Sequence, residues 1–227
     1  MNSRSIESSQ TDVHTELETV VHKHLKHTFQ KPIGQPTREV FEALLPRLRS
    51  EQRPLLLDSG CGIGESTERL ALMYPEHFVL GVDKSEHRLN KRSWLQQSDE
   101  SRNSLIVRAD LVDFWRLMAE HEIRPDLHFH LYPNPWPKPG HLQRRWQGHA
   151  VFPTLVELGG RVEMRSNWLI YLKEFALAWE WGTGQVGVIE QFVPEQPLTP
   201  FERKYHQSGQ ALYRLHFPPE SSQQGSQ

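Results

Sequence analysis

The sequence predicts an α/β fold: a doubly wound, mostly parallel sheet with helices on both faces and a C-terminal antiparallel edge hairpin. Three observations predict it. Short apolar runs alternate with helical patterns through the middle of the chain. A glycine-rich turn, Gly60-Cys61-Gly62-Ile63-Gly64, joins the first apolar run to the first of those helices. Acids stand at or just after the ends of the first three runs, where an open sheet of this class places its ligands.

Each element has its own signal. Leu55-Leu56-Leu57-Asp58 is a short apolar strand, and Glu65 to Met73 a helix with Leu70, Ala71 and Met73 apolar. Phe78 to Asp83 is the second strand, and Glu86 to Gln97 a charged helix. Leu105-Ile106-Val107 is the third strand, Leu111 to His121 a third helix, and Asp126 to Leu131 the fourth strand. Gly160 to Met164 and Gln185 to Phe192 are later strands with a Trp168 to Trp181 helix between them. The second of these, with Leu212 to Phe217, makes the edge hairpin. Residues 1–14 are polar and read as a disordered leader, residues 218–227 as a disordered tail, and 15–217 as a single domain.

Composition narrows the class. With 227 residues, 37% hydrophobic and 24% charged, the chain matches a globular domain with a full core. No apolar run approaches the roughly 18 residues that span a bilayer, and Met1 to Asp12 has no hydrophobic signal core. A single cysteine, Cys61, excludes an intramolecular disulfide and fits a cytoplasmic location. The formal net charge of −2 excludes a protein that coats nucleic acid through global charge, so any such contact needs a local basic patch.

The turn after the first strand carries the first chemistry. Its glycines let the backbone turn tightly and approach a ligand. The spacing is G-x-G-x-G, with Asp58 two residues before Gly60. That acid would repel a pyrophosphate and attract the ammonium and sulfonium of S-adenosylmethionine. Asp83, closing the second strand, is placed to accept ribose hydroxyls, and Asp110, after the third, to meet the adenine edge. The expected cofactor set is therefore Asp58, Gly60, Gly62, Gly64, Asp83 and Asp110. The bland alternative is a glycine turn beside ordinary surface carboxylates. Cys61 reads as a small loop filler, since no histidine-plus-acid arrangement accompanies it.

The fourth strand runs into Tyr132-Pro133-Asn134-Pro135-Trp136-Pro137-Lys138. Each proline fixes its own φ and pushes the residue before it toward extended backbone, which predicts a pre-shaped loop. The alternative is a rigid turn that merely leaves the sheet. Beyond the loop, Lys138, His141, Arg144, Arg145 and His149 interleave with Trp136 and Trp146, supplying cations for phosphates and flat faces for unstacked bases. His22-Lys23-His24-Leu25-Lys26-His27 reads as a solvated helical face or an RNA-touching arm, without a ligand framework for a metal. Exposed helix surface is the better account of His87-Arg88 and Lys91-Arg92, and helix packing of Trp94 and Trp115. Trp168, Trp179 and Trp181 read as core.

Taken together, these motifs resemble the bacterial tRNA (guanine-46-N7)-methyltransferases, within the class I S-adenosylmethionine-dependent enzymes. The resemblance covers roughly residues 54–217. It rests on the glycine turn, the proline-tryptophan loop, Arg144-Arg145, and Thr199-Pro200-Phe201-Glu202-Arg203, which is similar to the family's T-x-F-E segment. It implies methyl transfer to N7 of guanine in tRNA, with S-adenosylmethionine as cofactor, tRNA as partner, and a monomer or homodimer away from membranes. It also implies that Asn134 serves catalysis and touches the cofactor. Lys138, Arg144, Arg145, Asn167, Thr199, Phe201 and Glu202 would contact substrate.

Asn134 and Asn167 stand where the family usually has aspartate. Guanine N7 is an unprotonated in-plane lone pair, so its methylation needs alignment rather than a base. A carboxylate would stabilise the cationic purine. Asparagine still accepts through its carbonyl but loses the charge-assisted part, which roughly doubles a hydrogen bond's strength. The chemistry therefore leaves two other readings open: the same fold acting on a different nucleotide or small acceptor, and a non-catalytic RNA-binding relative.

Overall fold

The computed structural model describes residues 3–86 and 103–218. The charged helix expected over Glu86 to Gln97, with His87, Arg88, Lys91, Arg92 and Trp94, falls beyond Glu86 outside the described residues, as does the tail from 219. In chain order the elements are α1 (Leu17–Leu25), α2 (Gln35–Ser50), β1 (Leu55–Ser59), α3 (Glu65–Met73), β2 (Phe78–Asp83), β3 (Ser104–Arg108), α4 (Leu111–Glu120), β4 (Leu127–Leu131), α5 (Phe152–Leu158), β5 (Arg161–Ser166), α6 (Leu169–Thr183), β6 (Val188–Phe192), α7 (Pro200–Gln207) and β7 (Leu212–His216). The strand order is β3-β2-β1-β4-β5-β7-β6. Two compact units share the chain: one takes residues 31–131 and 158–160, the other the residues up to Gln30, 132–157 and from Arg161 onward.

The first unit is the parallel part. β1 pairs with β2 and with β4, and β2 with β3, all parallel. Parallel strands put all their carboxyl ends on one edge, so Ser59, Asp83, Arg108 and Leu131 end together there. Both faces of such a sheet are covered, which is why its inner strands read as continuous apolar runs. Leu56, Leu57, Phe78, Val79, Leu80 and Val82 are fully buried, each worth about 1.5–3 kcal/mol of transfer free energy. α2 starts with Pro36 in its first turn, where a missing N–H costs nothing, and buries Thr37, Phe41 and Leu44 on one stripe. Phe41 meets Phe114 of α4 edge to face, with ring centroids 5.3 Å apart.

β4 departs from its apparent pattern. The alternation Leu-His-Phe-His-Leu suggests one wet face, yet all five residues are buried. His128 Nε2 lies 2.8 Å from Ser59 Oγ, which also accepts from Trp115 Nε1 at 3.1 Å. The His128 and His130 rings lie 4.1 Å apart, tilted by 39°, and Trp115 sits edge-on to both. Burial holds both imidazoles neutral, His128 well below the ordinary pKa and His130 down to about 3.

The second unit carries the antiparallel strands. β7 pairs with both β5 and β6, so the edge hairpin is real in pairing, with α7 inserted in its connection. α6 supplies the apolar body: Phe175 stacks on Trp179 at 5.8 Å, and Trp179 packs on Phe217 at 5.3 Å. Trp168 and Trp179 are core residues, whereas Trp181 is half-buried against the His22 ring of α1. α1 buries Leu17 and Val21 and turns Lys23 outward. Residues 3–14, whose polarity suggests a disordered leader, hold no helix or strand, but Ser3 N donates to Ser208 Oγ and His14 N to Glu174 Oε1. Polar partners can fix a segment that has few apolar side chains to bury, here Ile6 and Val13.

Candidate cofactor and substrate residues

The glycine turn is built by the end of β1 and held by the end of β2. Gly60 N and Cys61 N both donate to Val82 O, at 2.8 and 3.2 Å, and Gly64 N closes the turn onto Cys61 O. Gly62 has φ +62°, a conformation that L side chains avoid, and a Cβ built there would meet nothing within 4 Å. Its amide donates to Asp83 Oδ2 at 3.0 Å, while Ser85 N donates to Asp83 Oδ1 at 2.8 Å. Asp83 is thus oriented by two backbone amides. Ala109 N donates to Asp83 O at 3.2 Å, which brings the end of β3 to the same place.

Asp58 is not the surface carboxylate of the bland alternative. It is fully buried, and Oδ2 accepts from Ser66 Oγ at 2.6 Å and Thr67 Oγ1 at 2.7 Å. Burial pushes its pKa up to about 6 against these two hydroxyls, and the charge of Asp83 pushes the same way. Thr67 can reach it because Gly81 faces it: a Cβ at Gly81 would lie 2.3 Å from Thr67 Oγ1. Asp110 caps α4, its Oδ1 accepting from Val112 N at 3.0 Å, and its own amide donates to Thr37 Oγ1. Cys61 is buried, and burial followed by the Asp58 and Asp83 charges raises its thiol pKa well above normal, which suits a filler and not a nucleophile.

These residues fit a ligand with a ribose and a cationic amino group. The Gly62 and Ser85 amides fix the Asp83 carboxylate at the carboxyl edge of the strands, the space over Gly62 is open, and Asp58 Oδ1 is buried without a protein partner.

The proline-tryptophan loop lies in the second unit. Tyr132 and Trp136 both precede prolines, yet both have positive φ, 53° and 45°. The proline rule favours extended backbone at these positions, and it is overridden here at about 1–3 kcal/mol each. Tyr132 N donates to Arg165 O at 2.9 Å, and its hydroxyl is buried beside Glu202. Burial, then the charge of Glu202, raises the Tyr132 pKa above its usual value. Burial also raises Glu202, against the pull of Arg165, whose Nη1 donates to Glu202 Oε1 at 3.0 Å. Tyr132, Tyr205 and Phe201 form an aromatic row with centroid spacings of 5.7 and 6.1 Å, and Phe201 at its end is 45% exposed.

Thr199 Oγ1 caps α7 by accepting from Glu202 N at 2.9 Å, so T-P-F-E is also a capping box start. Thr199 and Glu202 are buried, leaving Phe201 as the exposed member of that segment. Asn134, Lys138 and Arg144 are exposed. The Arg144 guanidinium lies 4.7 Å over the Trp136 ring, and His141 meets the same ring edge-on at 5.4 Å. His141 is lowered from its ordinary pKa by desolvation and then by Arg144, Lys138 and Arg145, the mark of a locally positive surface. Asn167 Nδ2 donates to Gln210 Oε1 at 2.8 Å and lines an open cavity of about 550 Å³ with Ser3, Trp168, Gly209 and Tyr213.

Arg145 requires a correction. It is 0% exposed, and Nη1 donates to both oxygens of the equally buried Glu174 at 2.7 Å. Its other nitrogens donate to the carbonyls of Trp136 and Lys138. It cannot meet a phosphate from there, because a guanidinium desolvated by its own carboxylate stays with it. Glu174 and Arg165 are the residues that motif reading missed. An acid inside the apolar run Leu169-Ile170-Tyr171-Leu172-Lys173-Glu174-Phe175 was the available signal, since acids are almost never fully buried unless paired.

Comparison with known proteins agrees with this arrangement. The family described as "Putative methyltransferase" matches residues 52–215. A tRNA (guanine-N(7)-)-methyltransferase of Alkalilimnicola ehrlichii is 30% identical over 197 residues, covering 82% of this chain and 78% of that protein. One from Treponema pallidum is 25% identical over 167 residues, covering 72% of this chain and 66% of its own length, just under two thirds. Among solved structures, the 16S rRNA methyltransferase KamB superposes with a TM-score of 0.54 at 18% identity, covering 78% of this chain and 93% of that one. An antibiotic-related methyltransferase gives 0.54 at 14% identity, covering 82% and 96%. At such identities the structural likeness is one of fold.

Proposed function

The chain belongs to the tRNA (guanine-N(7)-)-methyltransferase family, and from that premise we propose that it methylates guanine N7 in tRNA with S-adenosylmethionine as donor. The observation that carries the reading is the bond from Gly62 N to Asp83 Oδ2, which fixes an acid beside a ligand-open glycine turn at the carboxyl edge of β1 and β2.

When bound, S-adenosylmethionine supplies a methyl group made electrophilic by its sulfonium. Asp83 would accept the ribose hydroxyls, and the turn from Gly60 to Gly64 would let the backbone come close without side chains in the way. Asp58, whose pKa burial raises to about 6, would contribute negative charge from the end of β1. Asp110, next to Ala109, whose amide bonds Asp83 O, would meet the adenine edge. Asn134 offers its carbonyl oxygen to the purine as positive charge develops there. The Trp136 face and the exposed Phe201 ring are flat partners for an unstacked base, and Lys138 and Arg144 neutralise phosphates. No proton has to leave N7, so the absence of an aspartate at position 134 slows the reaction without blocking it. Catalysis of this kind is mostly alignment in a water-poor site. The cytoplasm is where the tRNA is met, and among the described residues no helix is long and apolar enough to cross a membrane.

Mass spectrometry of tRNA nucleosides from a deletion strain tests the reading. Loss of 7-methylguanosine, restored by the intact gene, is expected; an unchanged level in a cell with no second such enzyme contradicts it. A second reading keeps the cofactor and changes the acceptor, because Asn134 and Asn167 put neutral amides where a carboxylate would stabilise a cationic purine. Labelled methyl found in a small-molecule extract rather than RNA would select that alternative.

A further inference from the structure

The loop from Tyr132 to Lys138 has prolines at 133, 135 and 137, so three of its seven residues have no N–H to donate. Such a loop has few amides to be held by, Tyr132 N on Arg165 O among them, and relies on its carbonyls as well. Three consecutive carbonyls are taken up. Arg145 Nε and Nη2 donate to Trp136 O at 3.2 and 3.1 Å, and Nη2 to Lys138 O at 3.3 Å. Between them, Pro137 O accepts from Ser8 Oγ. The fixed fork of a guanidinium suits this task, whereas an ammonium is a single point of charge.

The fork is itself locked. Glu174 receives Arg145 Nη1 on both oxygens, Gln147 Nε2 at 2.9 Å and His14 N at 3.1 Å. Gln10 spans the pair: Oε1 accepts from Arg145 Nη2 at 2.9 Å, and Nε2 donates to Glu174 Oε1 at 2.6 Å. A buried ion pair is a poor way to gain stability compared with apolar packing, so its retention calls for another account. The account is strain. Trp136 is held at φ 45° before a proline, a state that lasts only where its surroundings over-determine it.

We infer that Gln10, Arg145 and Glu174 are positioning residues for the proline-tryptophan loop, which makes the segment from Ser8 to His14 part of the apparatus for turnover. They act through the loop that carries Asn134 and Trp136, not on substrate. The inference rests on the methyltransferase reading for its kinetic consequence, and its structural part stands apart from it.

The test uses the full-length protein, tRNA transcript and labelled S-adenosylmethionine, with Gln10→Ala as the principal variant because it leaves the ion pair in place. Misplacement of a positioned group costs up to about 10²-fold, so kcat is expected to fall about tenfold while KM for tRNA and the dissociation constant for S-adenosylmethionine stay within about twofold. Arg145→Lys, which keeps the charge and loses the fork, is expected to fall at least as far. An unchanged kcat in Gln10→Ala, a rise in KM alone, or full activity in Arg145→Lys overturns the inference. Deuterium uptake of the peptide 132–145, which reports the bonded amides of His141 and Arg145, is measured on the same samples. Faster uptake in Gln10→Ala supports the clamp and equal uptake overturns it. If the wild-type protein transfers no methyl to tRNA, the methyltransferase reading fails, and uptake alone then decides the clamp.

Discussion

Asp83 Oδ2 accepts the Gly62 amide at 3.0 Å, so the acid that ends β2 and the turn that leaves β1 form one hydrogen-bonded unit. Neither is placed independently. A ligand that bonds to Asp83 and packs against the turn meets groups already fixed relative to each other, which lowers the ordering cost of binding.

Asp83→Ala removes the acceptor for Gly62 N and Ser85 N together with the proposed ribose contact. Charge-assisted bonds are worth about 1.5–3 kcal/mol each, so S-adenosylmethionine affinity is expected to drop by about 100-fold in calorimetry. Asp83→Asn should lie between the two. Affinity within about twofold of wild type in Asp83→Ala would remove this acid from the site.

Two glycines give opposite signatures. Gly62→Ala faces open space but must hold φ +62°, so it is expected to cost about 1–2 kcal/mol of stability and considerably more in ligand affinity. Gly81→Ala would drive its Cβ into Thr67 Oγ1 and break the bond to Asp58. A stability loss of about 2–3 kcal/mol is expected there. Denaturant titration and ligand calorimetry on both variants check the contrast.

Buried groups set the pH response. The folded pKa of Asp58 is raised from 3.8 to about 6, so between those values the folded state holds more protons than the unfolded chain. This group therefore makes stability fall as pH rises through that window, by at most about 1.4 kcal/mol per unit. His128 and His130 are depressed below 6.5, His130 to about 3, so the folded state holds fewer protons. Their contribution is complete above pH 6.5 and is lost as pH falls. Two histidines outweigh one carboxylate, so the melting temperature is expected to drop from pH 7 to pH 5. In His130→Gln the drop should be shallower. A flat profile for wild type would mean that these imidazoles are not held neutral by burial.

Asn134→Asp restores a charge where the purine becomes cationic. Turnover on tRNA is expected to hold or rise by up to about tenfold, since the charge-assisted bond is roughly twice as strong. Initial rates under saturating S-adenosylmethionine measure it. A large loss would show that the loop has been rebuilt for another acceptor.

Local patterns carried most of the fold. β2 and α3 follow their sequence signals to the residue, because apolar runs bounded by turns and acids specify both ends. α2, α5 and α7 were not legible: α7 is a short polar helix made by the Thr199 cap and buried Glu202, and α5 is seven residues long. The histidines of β4 were misleading, because Ser59 and Trp115, distant in sequence, supply the partners that let them be buried. The glycine turn with Asp83 was legible as a local motif. Arg145 was not, since its basic neighbours Lys138 and Arg144 gave it the look of a surface residue while Gln10 and Glu174, far along the chain, hold it inside.

The central claim is methyl transfer from S-adenosylmethionine to guanine N7 of tRNA. Purified protein incubated with methyl-labelled S-adenosylmethionine and an unmodified tRNA transcript, followed by nucleoside digestion and mass spectrometry, tests it directly. Label in 7-methylguanosine, abolished or greatly reduced by Asp83→Ala, is the predicted result. Label in a different nucleoside, or none in the RNA at all, would contradict the account.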